Sequence, residues 1–151
     1  MNKKSILLSM VSLLAVGFAS SSCSSDDNPT VTSTTTRLAA NLTGAGEKPA
    51  STTSTATGTF VGDLNTTTRV LSYTVVYQGL TPTGGHLHKI VNADGTGPVD
   101  IPFPSLTSPI SATTAALRQT QVDSLLAGQY YANLHTTTYK GGEIRGDVKK
   151  Q

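Results

Sequence analysis

Three histidines stand out for chemistry, and all three fall in two short stretches. His86 and His88 lie in Gly84–Val91 (GGHLHKIV), and His135 closes Tyr130–His135 (YYANLH). Side chains on a β-strand alternate between faces, so a His-x-His pair presents both imidazoles on one side. A third imidazole from a neighbouring strand completes a three-nitrogen set of the kind that suits zinc or copper. The same residues admit a purely structural reading. The rings would then hydrogen-bond across strands or pair with Glu143, while Arg145 ties the last turn through its planar donors. Asn133 and Tyr131 share the His135 face and would join that polar network.

The elements that must position these groups are strands. In Tyr130–Val148 (YYANLHTTTYKGGEIRGDV), Tyr130, Ala132 and Leu134 share one face and Tyr131, Asn133 and His135 the other. After a turn-rich segment ending in Gly141-Gly142, Ile144, Gly146 and Val148 oppose Glu143, Arg145 and Asp147. A half-buried sheet turns its apolar file inward. Leu87 therefore points to the core, and the histidines, Glu143 and Arg145 are expected on a water-facing outer wall. Further strands are predicted over Arg37–Leu42, Thr55–Asn65, Arg69–Tyr77, Val99–Phe103 and Ile110–Leu117. One helical signal interrupts them: Thr120 and Asp123 as a capping pair, Val122, Leu125 and Leu126 on one face, and Gly128 as a stop. Asn92-x-Asp94-Gly95 resembles the opening of a calcium loop, but the bidentate Glu that closes such loops is missing, and a turn is expected there.

Composition narrows the class. The chain is rich in Thr, Ser and Gly, has no Trp, and is long enough for one domain. Many short β-branched runs separated by turn residues predict an all-β, Greek-key-like antiparallel β-sandwich with one short helix. Of eleven basic residues, Lys3 and Lys4 belong to the leader, which leaves nine against nine acidic ones. A balanced surface with no basic cluster argues against nucleic acid as a partner. No G-x-S-x-G elbow is present and no nucleophile is marked out beside a base, so hydrolase chemistry has no support.

The ordered pair of motifs carries a family resemblance. A Gly-Leu turn, H-L-H on a strand and a Gly-rich loop come first; a Leu-Leu-x-Gly helix end, Y-Y-A-N-L-H-T and G-G-E-I-R-G follow. Together they resemble the CHRD (chordin) domain family over about Arg37–Lys149, a family found in an animal developmental-signalling antagonist and in many bacterial exported proteins. Lys89 departs from the family's usual Gly, Tyr139-Lys140 from an Asn-Pro type turn, and Glu47-Lys48-Pro49-Ala50 is a loose form of a Glu-x-Pro-Pro segment. The histidine pattern is also similar to the copper site of Cu,Zn superoxide dismutases, which pair a strand-borne His-x-His with a late-strand His on a Greek-key β-barrel. That similarity lacks a fourth copper ligand and a zinc-loop cluster, and one cysteine cannot form the intraloop disulfide.

Lys3 and Lys4, an apolar run from Ile6 to Ala19 and small residues up to Cys23 have the form of an export signal. A lone cysteine behind the apolar run resembles a bacterial lipoprotein signal, with residues 1–22 removed and Cys23 lipidated; the alternative is a secreted protein with a free thiol. Ser24-Ser25-Asp26-Asp27 resembles an acidic tag for the outer cell surface. Residues 23–36, with the lipidated Cys23 at their head, read as a tether, and residues 37–151 as the domain. The expectation is thus an outer-membrane lipoprotein displaying a non-catalytic module for an unidentified protein or glycan partner. The alternative expectation is a copper- or zinc-binding exported protein using His86, His88 and His135, with dismutase-like chemistry as an extension.

Overall fold

A computed structural model describes residues 34–151; the leader, Cys23 and nearly all of the tether lie outside the described residues. Eight strands form: β1 (Thr35–Thr43), β2 (Thr57–Asn65), β3 (Val70–Gln78), β4 (Gly84–Lys89), β5 (Val99–Pro102), β6 (Ile110–Thr113), β7 (Tyr130–His135) and β8 (Ile144–Lys150). One helix, α1 (Gln119–Leu126), precedes β7. β1 begins two residues ahead of the expected start, because Thr35 and Thr36 pair with Asn65 and Leu64 of β2. The strand expected over Ile110–Leu117 stops at Thr113, although Leu117 N–H still reaches the Arg69 carbonyl at 2.8 Å.

The strands make one antiparallel sheet in the order β5-β4-β7-β8-β1-β2-β3-β6. β3 pairs with β6 and β4 with β7, so the chain crosses between the two halves as a Greek key does. The sheet curls into a half-barrel. Its two arms meet through aromatic side chains: Tyr73 of β3 lies 5.6 Å from Phe60 of β2 and 5.6 Å from Phe103, just past β5. Leu38, Leu42, Leu64, Leu71, Leu87, Leu134, Ile144 and Val148 are fully buried around them. Burial of each such side chain contributes about 1.5–3 kcal/mol. The all-β class with one short helix agrees with the sequence.

The helix differs from expectation at its start. Arg118, not Thr120, is the N-cap, and Gln121 Oε1 accepts the Arg118 backbone N–H at 2.9 Å. Gln121 lies three residues past the cap, where a side-chain acceptor reaches back to it. Gly128 stops the helix as predicted, with φ of +70°. The Asp94 segment is a turn: its Oδ1 accepts from Thr96 N–H at 2.9 Å and from Thr96 Oγ1 at 2.7 Å.

Candidate metal centre

Register brings the polar residues together. Across β4 and β7, Gly84 faces His135, His86 faces Asn133 and His88 faces Tyr131. Across β7 and β8, Asn133 faces Arg145 and Tyr131 faces Asp147. With Leu87 and Leu134 pointing into the core, these residues occupy the opposite face, as the alternation requires.

Much of that face is covered, and this corrects the expectation of a water-facing wall for all but His86 and His135, which stay partly exposed. Asn133 and Arg145 are each 1% exposed, Glu143 and His88 each 8%. Two loops that carry no strand pattern fold over it. The segment before β2 is fastened by Thr52 Oγ1 to the Glu143 carbonyl at 2.8 Å, Ser54 Oγ to Glu143 Oε1 at 2.7 Å, and Asn133 Nδ2 to Glu47 Oε1 at 2.8 Å. The segment between β4 and β5 is fastened by Arg145 Nη2 to the Gly95 carbonyl at 2.7 Å and by Tyr131 Oη to the Gly97 carbonyl at 3.3 Å.

The three imidazoles gather into one cluster. Ring centroids are 5.4 Å apart for His86 and His88, 5.1 Å for His86 and His135, and 5.7 Å for His88 and His135. One nitrogen from each ring lies within 4.8 Å of the others. Two rings are oriented by backbone. His88 Nδ1 and His135 Nδ1 lie 3.0 Å from the carbonyls of Gly97 and Lys140. A carbonyl only accepts, so each Nδ1 carries the proton and each Nε2 keeps a free lone pair. His88 Nε2, His135 Nε2 and His86 Nδ1 are buried and have no hydrogen-bond partner.

This donor set fits a transition-metal ion. Metal-bound histidines commonly donate the other ring nitrogen to a carbonyl, which fixes tautomer and orientation. Zinc–nitrogen bonds of about 2.0–2.1 Å would set three ligand nitrogens about 3.3–3.6 Å apart. The separation of up to 4.8 Å is therefore about 1.2–1.5 Å wider than a closed sphere. No carboxylate or thiolate joins the cluster among the described residues.

The polar residues divide differently from expectation. Glu143 pairs with no histidine: its Oε1 takes the Ser54 hydroxyl and its Oε2 the Thr136 hydroxyl at 2.6 Å. Arg145 holds Gly95, Asp147 and the Tyr131 ring, with Cζ 3.6 Å from the ring centroid. Glu47 is the residue sequence reasoning did not place in the site. Its only signal was the loose Glu-x-Pro-Pro segment. The carbonyls of Gly97 and Lys140 left no signal, since any residue supplies one.

Burial pushes all three imidazoles below the usual 6.5 and His88 to about 4. For His88 the Gly97 carbonyl works against this, while the other two rings and Arg145 add to it. Burial raises the Glu47 carboxyl to about 7, opposed by Arg145 and by hydrogen bonds from Asn133 and the Lys48 backbone. The signs are opposite. As pH falls below 6.5 the unfolded chain takes up protons that the folded rings resist, His88 down to about pH 4, so their contribution to stability is lost as the pH falls. Glu47 holds a proton in the fold that the unfolded chain loses above about 4.5, so its contribution declines between pH 4.5 and 7. The two effects oppose one another, so the rings are read in Glu47→Gln, which removes the carboxyl's titration: that metal-free variant should resist denaturant less at pH 5 than at pH 7. Equal or greater resistance at pH 5 in urea titrations would contradict this assignment.

A family model for the CHRD domain matches residues 38–148. No curated protein and no solved structure matches the chain.

Proposed function

The chain belongs to the CHRD domain family, and from that premise we propose that it is an exported, lipid-anchored protein whose domain binds one copper or zinc ion through His86, His88 and His135. One observation carries the metal reading: each ring of a cluster whose ligand nitrogens lie within 4.8 Å of one another has a buried nitrogen with no partner. A buried polar atom without a partner costs about 1–3 kcal/mol. Three together at one place are a poor arrangement for a structural network and a good one for an ion. The structural reading needs those nitrogens hydrogen-bonded, and the two that are tied to backbone are the opposite nitrogens of their rings.

The bound ion would supply Lewis acidity and, for copper, one-electron chemistry. The chain's own residues do the rest. Gly97 and Lys140 hold two rings in the ligating tautomer, and burial keeps the rings unprotonated at neutral pH. The role we assign is metal binding at the cell envelope, with Cys23 as the membrane anchor and no nucleic-acid partner. A protein or glycan partner on the rest of the surface is compatible with it.

Metal analysis of the purified mature protein tests the reading. About one equivalent of copper or zinc should be retained, and His135→Ala should lose it with little change in folding. A wild-type protein that retains neither metal, or an alanine variant that retains as much as wild type, would overturn it.

A further inference from the structure

Arg145 is the largest fully buried side chain described, at 1% exposure. A guanidinium in that position is costly unless every donor is used. Here Nη2 donates to the Gly95 carbonyl at 2.7 Å and to Asp147 Oδ1 at 2.9 Å, while Nε and Nη1 have no partner. Strand pairing and the apolar core do not call for a cation at this position.

What Arg145 touches leads to the histidine cluster by two routes. Tyr131 sits on β7 between His88 on β4 and the β8 strand of Arg145. Its ring is stacked on His88 at 4.7 Å with planes 5° apart, and the guanidinium covers it at 3.6 Å. The second route runs through the loop: Arg145 holds Gly95, and two residues on the Gly97 carbonyl accepts from both His88 Nδ1 and Tyr131 Oη. Gly97 itself lies too close to β4 for a side chain, because a Cβ there would overlap the Lys89 carbonyl.

We infer that Arg145 is a positioning residue for the three-histidine centre, holding the Gly95–Gly97 loop and the Tyr131 ring so that His88 presents a bare Nε2 to the other two rings. This rests on the metal reading. Arg145 does not touch the ion; it acts on one ligand of three. His135 is oriented independently, by Lys140 in a different loop.

The independence makes the inference testable. Histidine-ring nitrogen NMR on the metal-free, full-length protein in detergent should show His88 and His135 both protonated at Nδ1. In Arg145→Met only His88 should turn into a mixture of tautomers, and copper(II) affinity should fall about 10–100-fold, the usual cost of losing a group that orients a ligand. Arg145→Lys, which keeps a cation over the ring, should recover part of that loss. Gly97→Ala, which displaces the loop directly, should reproduce the His88 effect, and Tyr131→Phe should give a smaller one. These two variants carry the test if Arg145→Met does not fold. A His88 tautomer unmoved in every variant, or His88 and His135 changing together, would overturn the positioning role. A wild type that binds no copper sinks the metal reading itself; wild-type binding with unchanged affinity in Arg145→Met sinks only the role of Arg145.

Discussion

Adding copper(II) or zinc to the metal-free protein at about one hundred times the dissociation constant should raise Tm by roughly 10 °C. A ligand that binds only the folded state at that excess contributes about 2.7 kcal/mol, and each kcal/mol moves a domain of this size by several degrees. The preorganised state of the site lowers the metal concentration at which that excess is reached. His88 and His135 are already in the ligating tautomer, and no imidazole proton has to be displaced at pH 7 because burial holds the rings neutral. His88→Ala should abolish the shift. Magnesium, which prefers oxygen ligands, should give none. Differential scanning calorimetry with and without a chelator reads all three. A shift of equal size in His88→Ala would mean that the ion stabilises the fold from another place.

Replacing Glu143 with Ala should destabilise the fold by about 3 kcal/mol while leaving the metal stoichiometry of the folded fraction unchanged. Both carboxylate oxygens accept hydroxyl donors, from Ser54 at 2.7 Å and Thr136 at 2.6 Å, and the side chain is 8% exposed. Hydrogen bonds to a charged acceptor contribute about 1.5–3 kcal/mol each, and the truncated residue leaves both hydroxyls without their acceptor. Three kcal/mol is a large part of a typical domain's stability. Glu143→Gln keeps the shape and one acceptor oxygen, so it should cost about half as much. Urea unfolding of the two variants, with metal content measured on the same samples, separates the roles. The expected division is that Glu143 serves folding and His135 the proposed metal binding. If Glu143→Ala lost metal without losing stability, the two residues would belong to one functional unit and that division would be wrong.

Alternation by itself determined a good deal of this protein. Tyr130, Ala132 and Leu134 on one side and Tyr131, Asn133 and His135 on the other follow from the pleat, and the hydrophobic core takes in only the first three. His86 and His88 had to share a face with Leu87 between them, and Gly128 had to end the helix. These are local rules, each settled by a few adjacent residues. The family resemblance, carried by motifs on β4, β7 and β8, was legible for the same reason.

Tertiary structure alone decided what covers that face. Glu47, Thr52 and Ser54 come from a segment with no periodicity, yet they fasten it over Asn133 and Glu143. Gly95 and Gly97 do the same over Arg145, Tyr131 and His88 through backbone carbonyls, which no side-chain pattern encodes. A strand's polar file says only that it points away from the core; whether water or a loop lies beyond depends on chain that returns from far away in sequence. Here a loop lies beyond, which is why Arg145 and His88 are buried while His86 and His135 beside them stay partly exposed.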